Sequence, residues 1–197
     1  MSNHQIVLAS TSPFRKAILE KLQLPFSCCK PETDETPLKN ESAIELVERL
    51  AQLKARAGFN LHPNNFVIGS DQVAFCNDEI LGKPGNFENA FAQLSKLSGK
   101  AVKFYTGLAL INPEGQLKSS VEVFEVHFRN LTSDEITAYL HLEEPYNCAG
   151  SFKSEALGIT LFDKLLGDDP NTLIGLPLIK LCEFFRAFGF DPLIQKR

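Results

Sequence analysis

An α/β fold built on a mixed sheet is the class this sequence predicts, and three observations predict it. Strand-like and helix-like stretches alternate along the chain without an internal repeat or a low-complexity linker. Two long β segments, Val102 to Ile111 and Ser119 to Arg129, follow one another across the turn signal Asn-Pro-Glu-Gly, a hairpin that makes the sheet mixed. With 197 residues, 44% of them hydrophobic, the chain can bury one substantial core, and a single domain over 1–197 is expected.

The elements follow in order. Ile6 to Ala9 reads as a buried strand, and Ser12 with Pro13 behind it is an N-cap followed by a proline at the first helical position. A short strand (Phe26 to Lys30) leads into the acidic loop PETDETP and a long helix from about Ser42 to Gly58. Phe66 to Cys76 is the next strand. A turn, the loop LGKPGN and a helix from about Phe87 to Leu97 precede the hairpin. TSDE at Thr132 fits a capping box and starts another helix. A polar loop (Ala149 to Gly158), a short strand (Ile159 to Phe162) and a terminal helix from about Leu176 to Phe188 complete the pattern.

Composition narrows the partners. A formal net charge of −4 offers no basic field for nucleic acid and no Lys/Arg cluster for a membrane surface, so a small molecule is the expected ligand. The first apolar stretch is only a strand long, which does not fit a signal peptide, and no segment approaches membrane-spanning length. The five cysteines include no CxxC pair; free thiols in a reducing cytoplasm are expected.

Four places carry candidate chemistry. Where the first strand becomes a helix, Ser10, Ser12 and Arg15 surround the unpaired amides of the helix start, an arrangement that suits a phosphate. A capped helix with a surface arginine is the plain alternative. In the acidic loop, Glu32, Asp34 and Glu35 crowd within four residues, an oxygen-only set that suits Mg²⁺ or Mn²⁺ unless it is merely a solvated loop. On the long helix, Lys54 falls seven, four and three residues after Val47, Leu50 and Ala51, on the apolar stripe, where a lysine must snorkel out or meet an anion. In FVIGSDQVAF, Asp71 is a carboxylate placed within a buried strand and must be neutralised, hydrogen-bonded or metal-bound.

Lys83, in GKP, adds a further cation, but it is not a P-loop lysine, because the glycine spacing is absent and Pro84 follows it. Arg15, Lys54 and Lys83 for a polyphosphate, with Glu35 and Asp71 for a divalent ion and an attacking water, form a set suited to phosphoanhydride hydrolysis. No HExxH, GxSxG or dinucleotide GxGxxG is present, and His4, His62, His127 and His141 have no metal-ligand spacing.

The strings LASTSPFRKAIL, DETP, GSDQV, GKP, FYTGLAL, AGSFKSEALG and DPNTLIGLPL, in this order over nearly the whole chain, resemble the Maf family of nucleotide pyrophosphatases. Within it the chain is most similar to the branch that hydrolyses 7-methyl-GTP to 7-methyl-GMP and diphosphate. Phe14 after SP, Gln72 after the aspartate and Glu155 in SFKSE carry that similarity as specificity residues; the dTTP/UTP branch usually holds arginine, threonine and glutamine there. The tryptophan common at the first of these positions is phenylalanine here.

The resemblance implies a Maf/ITPase-like fold, a twisted mixed sheet flanked by helices with a cleft between two lobes. It also implies Asp71 as proton acceptor and a required divalent cation, Mg²⁺ or Mn²⁺; the residues themselves lead to the expectation of Lys54 and Lys83 in catalysis, Ser10, Ser12 and Arg15 on the substrate, and Glu35 with Asp71 on that cation. Whether Asp71 acts as general base or as metal ligand is left open by the sequence. A cytoplasmic homodimer acting on a nucleotide, with no nucleic-acid or membrane partner, is expected. The alternatives are a dTTP/UTP pyrophosphatase and a nucleotide-sensing regulator of septum formation.

Overall fold

β1 is Ile6–Ala9, four consecutive buried positions, and each of its faces meets a different layer. The structure is a computed structural model and describes residues 5–194, so His4 lies outside the described residues. β1 runs parallel to β2 (Phe26–Cys29) and to β3 (Phe66–Cys76), with Leu8 level with Ile68. β3 pairs antiparallel with β4 (Glu79–Leu81), and β5 (Ala101–Ile111) is followed by β6 (Leu117–Phe128), which pairs antiparallel with β7 (Phe162–Leu166). Among the described residues the strands form a seven-stranded sheet in the order β2-β1-β3-β5-β6-β7, with β4 on β3. The predicted mixed sheet is therefore present. The 112–116 turn between β5 and β6 is closed by Asn112 N donating to Gln116 O at 3.0 Å.

The helices begin where the caps predict. α1 (Pro13–Glu20) starts on Ser12, whose Oγ accepts from Arg15 N. Ser42 and Glu45 form a full capping box at α2 (Ala43–Leu61), and Thr132 and Glu135 another at α4 (Ser133–Glu143). α3 is Phe87–Leu97 with Asn86 as its cap. α5 (Pro170–Ile174), capped by Asp169, was not anticipated, although Asp-Pro repeats the cap-then-proline signature of α1. α6 covers Leu178–Ala187 and starts after Pro177.

The expected strand Ile159 to Phe162 needs correction. Leu157–Leu161 is a 3₁₀ turn, and β7 begins where the prediction ends. Gly158 packs so tightly on the Lys153 carbonyl that a Cβ would lie 2.3 Å from that oxygen, and Ile159 is half exposed, so its apolar side chain marks no core position. β4 was also missed, being three residues with an exposed isoleucine.

The chain divides into two compact units. Met1–Gln72, Thr106–Glu122 and Asp169–Arg197 form the first; Val73–Tyr105 and Val123–Asp168 form the second. In the first, alternation along the strands separates two layers. Ile6, Leu8, Phe66, Ile68, Leu108 and Leu110 pack with Ile18 and Leu19 of α1 and Leu181, Phe184 and Phe185 of α6. On the other face, Val7, Ala9, Val67, Ala109 and Ile111 lie with Ala51 and Ala55 of α2.

α2 lies unusually close to the sheet. A Cβ on Gly69 would sit 2.2 Å from Ala51 O, and one on Gly107 would sit 2.1 Å from Val47 O, so only glycine permits this approach. In the second unit Phe152 contacts Phe104, Phe128 and Phe162 at centroid distances of 5.4, 5.5 and 4.9 Å, an edge-to-face cluster that fills its core. No helix among the described residues is long and apolar enough to cross a membrane.

Candidate active site

The parallel register of β1 and β3 brings the phosphate-suited loop and the buried carboxylate together. Leu8 is level with Ile68, so the loop that follows Ala9 continues alongside Ser70 and Asp71. Ser10 is buried and its Oγ accepts from Ser12 N at 3.1 Å, which bends the chain into the helix start. Arg15 sits in the first turn of α1, where its Nε donates to Gly175 O at 2.9 Å. Burial lowers the Arg15 guanidinium from its ordinary value, while Asp71 and Glu35 oppose the shift, so this cation lies in the field of both carboxylates.

Asp71 occupies the α2 face of β3, two residues beyond Gly69, and the close approach at that glycine delivers Lys54 to it. Lys54 Nζ donates to Asp71 Oδ1 at 2.6 Å and lies 3.0 Å from Glu35 Oε1. Lys54 and Asp71 are only 6% and 9% exposed, so the lysine meets an anion within the core rather than snorkelling out. Glu35 stays exposed and reaches in from the acidic loop.

The rest of that loop does not converge. Glu32 faces Lys30 at 3.8 Å in solvent, and Asp34 accepts from Thr36 N at 2.9 Å, closing a turn. Of the crowded trio only Glu35 reaches the buried lysine, because a turn uses Asp34 and Glu32 faces Lys30. Among the described residues no group of three or more His, Cys, Asp or Glu is arranged to hold a metal.

A clamp that sequence reading missed holds this loop. Arg49 of α2 donates to Glu41 through Nε at 2.5 Å and Nη2 at 2.8 Å, and Nη2 also reaches Thr36 O at 3.1 Å. The Arg49 guanidinium, helped by Leu38 N, holds the Glu41 carboxylate at about 2, below the ordinary 4.5. A depressed folded-state value stabilises the fold above the unfolded value, and that stabilisation is lost as pH falls through the folded one. Urea midpoints of the wild type should therefore fall between pH 4.5 and about 2 more steeply than those of Arg49→Met. Parallel curves for the two proteins would remove the clamp.

The opposite face of β3 carries two further polar groups. Ser70 is fully buried and its Oγ donates to Gly175 O at 2.9 Å. Gln72 Nε2 contacts Thr106 Oγ1, Thr172 O and Leu173 O at 2.9, 2.8 and 3.1 Å. That nitrogen is committed to the 172–173 backbone, leaving Oε1 as the atom available to a ligand. Gly175 has φ +122°, a conformation glycine tolerates, and its carbonyl thereby faces both Arg15 and Ser70.

Phe14 is half-buried on α1. Lys83 and Glu155 belong to the second unit and are exposed. Both act there on one half-buried thiol: partial burial raises Cys148, Lys153 and Lys83 oppose the shift, and Glu155 and Glu143 add to it. Lys153 Nζ fastens the SFKSE loop to Glu143 O at 2.7 Å. The first unit thus gathers Ser10, Ser12, Arg15, Glu35, Lys54 and Asp71, with Gln72 on the strand's other face.

Comparison with known proteins adds a family. The model of the family described as Maf-like protein matches residues 5–188. The chain belongs to the Maf family. A relative from Colwellia psychrerythraea (strain 34H), named 7-methyl-GTP pyrophosphatase, is 60% identical over 192 residues, 97% of this Maf chain and 96% of that protein. Among solved structures, the Ham1 protein of Staphylococcus aureus matches 64% of this Maf chain and 72% of its own, at 18% identity and a TM-score of 0.47. A HAM1 protein from Coxiella burnetii matches 77% and 88%, at 17% identity and a TM-score of 0.45.

Proposed function

We propose that this chain is a nucleoside triphosphate pyrophosphatase that hydrolyses 7-methyl-GTP to 7-methyl-GMP and diphosphate. The contact that carries the reading is Lys54 Nζ between Asp71 Oδ1 and Glu35 Oε1, beside a capped helix start that holds Arg15. The 60% identical relative named for this activity supports the choice of base.

The two carboxylates fit a divalent cation. Both reach a point that already holds a positive charge, and both offer oxygen, the donor suited to Mg²⁺ or Mn²⁺. Two carboxylates leave the remaining positions to water and phosphate oxygens, as Mg²⁺ sites commonly do. A cation held by Glu35 and Asp71 would neutralise phosphate charge and make the attacking water more acidic.

The chain's own groups do the rest. The Ser10–Ser12 loop, the terminal N–H groups of Arg15, Lys54 and Lys83 hold the triphosphate. Water attacks the α-phosphorus, the bond from that phosphorus to the bridging oxygen breaks, and diphosphate leaves. Asp71 takes the water's proton, its carboxylate held toward the reaction by Lys54. Phe14 gives the cationic 7-methylguanine an aromatic face worth about 0.5–2 kcal/mol. Glu155 and Gln72 Oε1 accept from the guanine N1–H and exocyclic amine.

In this reading the chain is a single catalytic domain, supported by one family model over 5–188. The protein is a cytoplasmic homodimer on the family resemblance, and its five cysteines, all free thiols, agree with a reducing compartment.

The test is diphosphate release from 7-methyl-GTP, GTP, dTTP, UTP and CTP with Mg²⁺ or Mn²⁺. Preference for 7-methyl-GTP is expected. Preference for dTTP or UTP would overturn the base assignment, and no release from any would leave a nucleotide-binding protein.

A further inference from the structure

We propose that Ser70 is a positioning residue: by donating to the carbonyl oxygen of Gly175, it fixes the acceptor that aims the Arg15 guanidinium at the triphosphate. This rests on the pyrophosphatase reading and adds to it a residue that touches neither substrate nor metal.

Gly175 O accepts from Ser70 Oγ and from Arg15 Nε, each at 2.9 Å. A carbonyl oxygen has two lone pairs, so both are used and its direction is set. Arg15 is then held by one edge of a planar fork. Bonding Nε fixes the plane, and no hydrogen bond among the described residues engages the terminal nitrogens, the pair that grips a phosphate bidentately. Ser70 is fully buried, so its hydroxyl acts only through what it bonds.

The acceptor itself is held still. Gly175 N bonds to Asn171 O and Thr172 O. Thr106 Oγ1 donates to Thr172 O at 3.0 Å, beside the two backbone contacts of Gln72. Asp169 accepts from Asn171 N and Ile179 N at 2.8 and 2.9 Å, joining the turn to α6. A buried network with its members satisfied is rigid, so an orientation passed to Arg15 through Gly175 does not blur. Alternation along β3 then gives one strand two tasks. Asp71 turns to Lys54 on one face while Ser70 turns to Gly175 on the other, and adjacent residues thereby place the proton acceptor and the phosphate cation in fixed relation.

Ser70→Ala removes one donor from an oxygen that keeps Arg15, so no buried group is left without a partner. The expected result is a KM for the nucleoside triphosphate about tenfold higher, with kcat within about twofold and inorganic diphosphate bound about tenfold more weakly by calorimetry. In an Arg15→Ala background, Ser70→Ala should add nothing, because the group it aims is gone. Multiplying losses in that background, or an unchanged KM beside a lowered melting temperature, would make Ser70 structural only and overturn the proposal. If the alanine variant does not fold, Ser70→Cys, similar in size with a weaker donor, is read on the same cycle. Diphosphate binding needs no turnover, so a wild type that hydrolyses no nucleotide would end the pyrophosphatase reading while the aiming of Arg15 is still decided.

Discussion

Asp71→Asn should keep its fold and release diphosphate on the order of 10³-fold more slowly than the wild type, since both a proton acceptor and a candidate metal ligand are lost. The fold survives because of what remains around the lysine. Lys54 Nζ lies 3.0 Å from Glu35 Oε1 as well as 2.6 Å from Asp71, so removing one carboxylate leaves the buried cation with a partner. Asparagine keeps the shape and an acceptor for the lysine. The measurement is steady-state diphosphate release beside a urea titration. Near-normal turnover would discard Asp71 from the chemistry, and coincident loss of fold and activity would discard Glu35 as a sufficient partner.

Much of this site is legible in sequence because its parts obey local rules. Ser12-Pro13 fixes a helix start by capping chemistry alone, and the helix begins there. Lys54 stands out because a period of 3.6 residues puts it on a stripe with Val47, Leu50 and Ala51, and those neighbours are buried with it. Asp71 stands out because a charge inside an apolar strand demands a partner, although the strand does not say which one. The partner is chosen by Gly69, whose missing side chain lets α2 lie against β3.

What stayed hidden belongs to backbone and to distance. Gly175 acts through its carbonyl, which every residue has, and only its φ of +122° directs that oxygen toward Arg15 and Ser70. Ser70 reads as a small residue beside a conspicuous aspartate until its partner, 105 residues away, is in place. Glu32 and Asp34 show the converse. Proximity in sequence suggested a shared cation, yet Asp34 closes a turn on Thr36 N, Glu32 faces Lys30 in solvent, and only Glu35 meets the core lysine. Arg49 belongs to none of the motifs the sequence offers, and it is the residue that holds the acidic loop to α2.

Lys54→Met should cost about 3–5 kcal/mol of stability, more than any other single change in the site, because it strands a buried charge. Asp71 is 9% exposed, and Lys54 supplies its 2.6 Å contact. Arg15 feels the same carboxylate, but its Nε is tied to Gly175, so it does not replace the lysine. Glu35 is mostly exposed and can turn to water when the cation leaves; Asp71 is fixed in β3 and cannot. The asymmetry predicts a recovery. Lys54→Met with Asp71→Asn removes both charges, and its urea midpoint should return most of the way to wild type while diphosphate release stays abolished. Were the single variant within about 1 kcal/mol of wild type, the pair would be worth no more than a solvent-exposed one, and α2 would serve to bring the lysine to the phosphate rather than to pair the aspartate.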